Sequence, residues 1–184
     1  MASMQKSQTC EQLKSAGIKL RDLKQNPVLR LQLNLLISRE MGHAQPPKKL
    51  VEAATDTLNA LSNDKDIRFN EPNGMDKALD LSKSFGLPYN DSMKAYVHNR
   101  LISKIYFALD GTFFSGDDPF KPVTEYAALH GISAGELAKI ETDFAKELFA
   151  KGYYENSEKL AKRNGMEELA SRSRVLLELS SKQV

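Results

Sequence analysis

Gly131-Ile132-Ser133-Ala134-Gly135-Glu136-Leu137-Ala138-Lys139-Ile140-Glu141-Thr142-Asp143-Phe144 is the stretch that decides the fold. Ser133 and Glu136 stand at the spacing of a capping box, in which each side chain bonds the other's backbone N–H. Ile132 and Leu137 flank the box as a hydrophobic staple. Leu137, Ile140, Phe144 and Leu148 then recur every three or four residues, one face of a helix that Gly152 stops.

The same pattern extends in both directions. Upstream, Cys10, Leu13, Ala16, Leu20 and Leu23 predict a first helix over about 7–25. Asn26-Pro27 reads as an N-cap followed by a first-turn proline. The helix it opens is apolar nearly all round to about Glu40, so burial on more than one side is expected. Pro46-Pro47 opens a third helix with Leu50, Val51, Ala54, Leu58 and Leu61 on one stripe. After a polar loop at 62–74, with Ile67 and Phe69 expected to pin it, Met75, Ala78, Leu79, Ser82 and Phe85 mark a fourth helix. Asn90 caps a fifth carrying Met93, Val97, Leu101, Ile105, Ala108 and Leu109 inward. A second loop, 110–120, precedes a short sixth helix from Pro122. Downstream, short helices are expected near 157–163 and 166–181. No stretch alternates as a strand does, and Leu, Ala, Lys and Glu outweigh Val and Thr. The expectation is an all-α chain of eight or nine helices. Residues 1–6 would be a disordered N-terminus, or Met1-Ala2-Ser3 an added remnant ahead of a natural start at Met4, followed by one compact domain over 7–181.

Composition excludes more than it proposes. The 184 residues carry 26 Lys+Arg against 24 Asp+Glu, a net charge of +2, too balanced for a dedicated nucleic-acid binder. Cys10 is the single cysteine, so no intrachain disulfide and no multi-cysteine metal site can form. It is expected to be a small buried residue. The three histidines, at 43, 98 and 130, are scattered, and no metal or cofactor is expected. The most apolar run, Pro27 to Ile37, is too short and too polar to cross a bilayer. No secretory signal peptide is visible, which with the lone cysteine points to a reducing compartment, cytoplasmic or nuclear.

No catalytic constellation presents itself. The chain has no GxGxxG, GxxxxGK[ST], HExxH or GxSxG. The loop from Asp110 to Asp118 lacks the alternating ligands and closing glutamate of a calcium loop. Glu141 and Asp143, two apart on one helix, do not face each other. Lys48-Lys49 and Lys159–Arg163 read as solvated basic faces. The chain is therefore expected not to be an enzyme.

Residues 96–155 resemble the cyclin box, and are most similar to cyclins of the Pho80/Pcl type. The resemblance rests on Val97-His98-Asn99-Arg100-Leu101-Ile102, on the acidic loop Gly116-Asp117-Asp118-Pro119-Phe120, on Tyr126-Ala127-Ala128-Leu129-His130-Gly131-Ile132-Ser133 and on Glu136 through Phe144. It implies a cyclin-like helical region over about 46–163 and a protein partner, a kinase or another helical protein. In that family a glutamate after the capping box and a lysine late in the central helix grip the kinase. Glu141 stands at the glutamate position, while Asp110 or Gly111 stands where the lysine would be. The resemblance thus implies the fold more directly than kinase activation.

A partner is expected to dock where the fifth helix ends, the 110–122 loop passes and the Ser133 helix begins. The residues expected to bind it are Phe113, Phe114, Phe120, Tyr126 and Glu141, three ring-bearing loop residues, an aromatic anchor and a carboxylate. The other reading of the chain is a helical adaptor or a secreted bacterial effector, delivered into a host cell and acting by protein–protein contact. Its sign is Met166-Glu167-Glu168 ahead of the polar tail Ser180-Ser181-Lys182-Gln183-Val184, a pattern like some translocation signals and equally suited to a helix's first turn.

Overall fold

A computed structural model describes residues 7–63, 74–111 and 118–181. The chain is all-α, as its periodicities predict. Among the described residues there are nine α-helices, one 3-10 turn and no strand. The helices are α1 (Gln8–Ser15), α2 (Pro27–Glu40), α3 (Lys48–Ser62), α4 (Gly74–Phe85), α5 (Asp91–Asp110), α6 (Lys121–Leu129), α7 (Ala134–Ala150), α8 (Tyr154–Arg163) and α9 (Glu167–Ser181). The chain divides into two compact units, Met1–Tyr96 and Val97–Val184, and the boundary falls inside α5.

In the first unit α3 and α4 pair closely and α2 lies against both. Leu31 and Leu35 of α2, Ala54 and Leu58 of α3, and Ala78, Leu79 and Leu81 of α4 are buried there. Polar side chains fasten the ends of these helices. Asn90 accepts from Met93 N–H at 3.0 Å to cap α5 and donates to Ser62 Oγ at 2.9 Å. Tyr96 donates to Asp76 at 2.9 Å.

Three expectations fail in this unit. The first helix ends at Ser15, not near residue 25: Gly17 takes φ +69°, the left-handed turn that closes a helix, and Leu20–Asp22 form a separate 3-10 turn. Leu20 and Leu23 therefore do not extend the face of Cys10 and Leu13. Cys10 is half-buried rather than buried, because α1 is too short to sink a full face. The helix of Pro27 is bounded as expected, with Asn26 Oδ1 accepting from Leu29 N–H at 3.1 Å. Its apolar surface is nevertheless covered only in part, with Leu33 and Ile37 half-buried. Val28, Leu31 and Leu35 are buried, while Leu29 and Leu36 stay 40% and 45% exposed.

In the second unit α7, α8 and α9 stack in sequence. Their close approach follows from small residues at the contacts. Ala145, Ser157, Ala161, Ala170 and Ser173 are all buried. Ser157 Oγ donates to the Ala145 carbonyl at 2.9 Å, and Ser173 Oγ donates to Ser157 Oγ at 3.1 Å. A buried hydroxyl needs a partner, and this relay supplies one to each. The core combines Leu101, Ile105, Ala108 and Leu109 of α5 with Val123 and Ala127 of α6, Leu137, Phe144 and Leu148 of α7, and Leu160 of α8. The capping box at Ser133 forms as read: Ser133 N–H donates to Glu136 Oε2 at 2.9 Å and Glu136 N–H to Ser133 Oγ at 3.3 Å. Tyr154 starts α8 three residues earlier than the sequence suggests.

Candidate functional site

The site is built on the turn between α6 and α7 and on the end of α8. Helix α6 closes in a Schellman motif. Gly131 has φ +71°, and Ile132 N–H reaches back to the Ala127 carbonyl at 2.9 Å. That turn folds α7 back beside α6. The two helices touch far less than α7 and α8 do, so a groove remains between them. Its volume is about 520 Å³. Alanines make the walls: Ala127 and Ala128 on α6, Ala134 and Ala138 on α7, with Ile132 and Leu137 at the turn. Short side chains are what keep the groove open; Ala128, Ala134 and Ala138 are exposed.

Glu141, Arg163 and Asn164 also line it. Glu141 is 3% exposed. A carboxylate so deeply placed requires compensation. Arg163 Nε donates to it at 3.3 Å and Asn164 Nδ2 at 2.9 Å. The Arg163 guanidinium also lies over the Phe120 ring, 4.1 Å from its centroid, a cation–π arrangement. Phe120 is held in place by its own N–H, which donates to Asp118 Oδ1 at 2.9 Å, and by burial in the core. Arg163 thus uses Nε for Glu141 and its face for Phe120. Among the described residues its two terminal nitrogens have no hydrogen-bond partner, and its side chain is 35% exposed.

The sequence-derived binding residues fall in three places. Phe113 and Phe114 lie outside the described residues, as do Ile67 and Phe69. Phe120 and Glu141 come together, joined by Arg163. The carboxylate that the family resemblance offers to a partner is instead turned to Arg163 and Asn164 within the chain. Tyr126 does not line the groove. It is half-buried against the core, with its ring centroid 4.5 Å from that of His130 and 5.2 Å from Lys104 Nζ.

Arg163 and Asn164 are the residues that sequence reading missed. Lys159, Lys162 and Arg163 are exposed, as expected of a solvated face, and each also makes ion pairs. Lys159 pairs with Glu155 at 2.8 Å and points at the Leu109 carbonyl, 3.5 Å away, at the end of α5. Lys162 pairs with Glu158 at 2.6 Å, and Arg174 reaches the same carboxylate at 2.9 Å. Hydrogen bonds from Lys162 and Arg174 hold the Glu158 carboxyl below its ordinary range. The one available signal was spacing: Arg163 and Lys159 are four apart on α8, the helix that packs on α7.

Among the described residues no group of three or more His, Cys, Asp or Glu could hold a metal ion. Among them, too, no helix is long and apolar enough to cross a membrane. No protein-family model matches the chain, and no curated protein or solved structure is significantly similar to it.

Proposed function

We propose that the chain is a non-enzymatic, cyclin-like protein-binding module whose partner, a kinase or another helical protein, lays a helical segment in the groove between α6 and α7. The observation that carries this reading is the alanine-walled groove ending at the Arg163 guanidinium. An amphipathic helix binds such a groove through apolar side chains at i, i+3 and i+4 spacing. Alanine walls allow the close approach that this mode needs. The uncommitted end of Arg163 adds a charge requirement: the docking helix should carry a carboxylate beside its apolar anchor, because guanidinium and carboxylate pair as two parallel hydrogen bonds. Glu141 and Phe120 serve this reading indirectly, by fixing Arg163 in place.

The test is a binding measurement on the full chain against a panel of purified kinases and acidic amphipathic helical peptides. Ala138→Arg fills the groove from an exposed position. It should weaken binding at least about tenfold, the loss expected when one well-packed anchor is excluded. The thermal midpoint should stay unchanged. A partner that binds the Ala138→Arg chain as tightly as the parent overturns the groove as the docking site.

A further inference from the structure

We propose that the outward face of α9 pairs with the same face of a second copy of this chain. Ala170 and Ser173 form the buried side of α9, where it packs on α8. On the opposite side Glu168, Ser171, Arg172, Val175, Glu178 and Leu179 recur at three- and four-residue spacing, and all are exposed. Val175 and Leu179, one turn apart, are 51% and 53% exposed. Even the inner side of the helix runs out of cover there. Ser173 meets Ser157, in the first turn of α8. Helix α9 continues eight residues past Ser173, while α8 reaches back only three before Ser157. Leu177 is consequently 36% exposed.

Charge selects the occupant. Glu178 has no ion-pair partner among the described residues. Arg172 is held loosely, with Nη1 3.9 Å from Glu168 and the guanidinium 5.2 Å from the Phe149 ring centroid. The two stand three residues to either side of Val175. Two copies of α9 laid antiparallel about a two-fold axis at Val175 therefore set each Arg172 beside the other copy's Glu178, twice. The same register stacks Val175 on Val175 and lays Leu179 over Ser171, whose small side chain lets the helix axes approach. A parallel pairing would oppose Arg172 to Arg172 and Glu178 to Glu178, which like-charge repulsion disfavours. The face is complementary to itself in the antiparallel orientation. A patch of two helical turns is smaller than the roughly 800 Å² per partner of a stable interface, so the pair is weak and reversible. It lies at the far end of α8 from Arg163, apart from the α6–α7 groove.

Sedimentation equilibrium of the full chain, at concentrations up to about 1 mM, is the test. The parent should show a reversible monomer–dimer equilibrium. Leu179→Glu should weaken the dimer about tenfold or more and leave the thermal midpoint of the dilute chain unchanged, since Leu179 is exposed in the single copy. Arg172→Glu and Glu178→Arg each set like charges together twice, and each alone should dimerise several-fold more weakly than the parent. Mixed in equal parts, these two variants regain both ion pairs across the interface and should pair with each other as tightly as the parent pairs with itself. A parent that stays monomeric throughout overturns the self-pairing and leaves the face to a different protein. A Leu179→Glu chain that dimerises as the parent does, or a mixture that associates no more tightly than its components, overturns it as well.

Discussion

Helices α2 and α7 show two ways in which one chain buries a helix. Helix α7 is amphipathic, capped by its own sequence, and sinks Leu137, Phe144, Ala145 and Leu148 into a core that α8 completes. Helix α2 is apolar almost all round, yet buries one stripe and leaves Leu29 and Leu36 outside. The fastenings differ in the same sense. Helices α7, α8 and α9 are linked through the fully buried hydroxyls of Ser157 and Ser173. Helix α1 buries only Thr9 and is tied to α2 by Glu40, a half-exposed carboxylate. Hydrophobic composition alone therefore does not decide burial; what decides is whether a neighbour covers the surface.

The largest expected effect tests that contrast directly. Leu160 is fully buried at the α7–α8 contact, and Leu160→Ala should destabilise the chain by about 2–5 kcal/mol through lost burial and the cavity left behind. Leu36→Ala, the same chemical change on the uncovered side of α2, should cost less than about 0.5 kcal/mol. Urea denaturation midpoints of the two variants decide it; equal losses would erase the distinction.

The next effect concerns the site. Glu141→Ala removes the acceptor of two hydrogen bonds and leaves Arg163 and Asn164 with unused donors. It should cost about 1–3 kcal/mol, less than a fully buried pair because Arg163 is partly in water. Glu141→Gln retains an acceptor for Asn164 and should recover part of the loss. Equal destabilisation by both variants would mean that the charge on Glu141, rather than its hydrogen bonds, holds Arg163.

Smaller again is the cap. Ser133→Ala should destabilise by about 1 kcal/mol, since it removes the acceptor for Glu136 N–H and half of a reciprocal pair. An unchanged midpoint would show that Ile132 and Leu137 position the helix start without it.

These variants also mark how far the sequence could be read. Helix starts were legible wherever a side chain writes them: Asn26, Asn90 and Ser133 each cap as their spacing predicts. The class followed from periodicity alone. The burial of α2 was misjudged because periodicity reports which faces are apolar and not whether a neighbour covers them. The first helix was overextended because Leu20 and Leu23 keep its spacing across Gly17, and one left-handed residue outweighs two leucines. At the site, Phe120 and Glu141 were legible as special residues. Arg163, which joins them, lies 22 positions from Glu141, and such a pairing is set by the packing of α8 on α7 rather than by any local pattern.

The smallest effect expected is the pH response of the α1 fastening. Ser7 Oγ donates to Glu40 Oε2 at 2.5 Å, Thr9 Oγ1 donates to Oε1 at 2.7 Å, and Thr9 N–H donates to Oε2 at 3.1 Å. These bonds, that of Ser7 foremost, favour the ionised form and hold the Glu40 carboxyl below its ordinary range. A carboxyl lowered by folding contributes its stabilisation above the unfolded value, about pH 4.3, and loses it as the pH falls through the folded value. Acid should therefore weaken the tie between α1 and α2 as the pH falls below the ordinary glutamate range. Glu158 and Glu136 are lowered in the same direction, so the midpoint of the whole chain reports all three. The Thr9 amide isolates one of them. Its proton resonance should titrate with a midpoint below that of an ordinary glutamate, and Glu40→Gln should abolish the titration. If the Thr9 amide keeps titrating in the Glu40→Gln chain, Glu40 is not the acid-sensitive fastening, and the contrast between a half-exposed tie in one unit and buried ties in the other loses its clearest case.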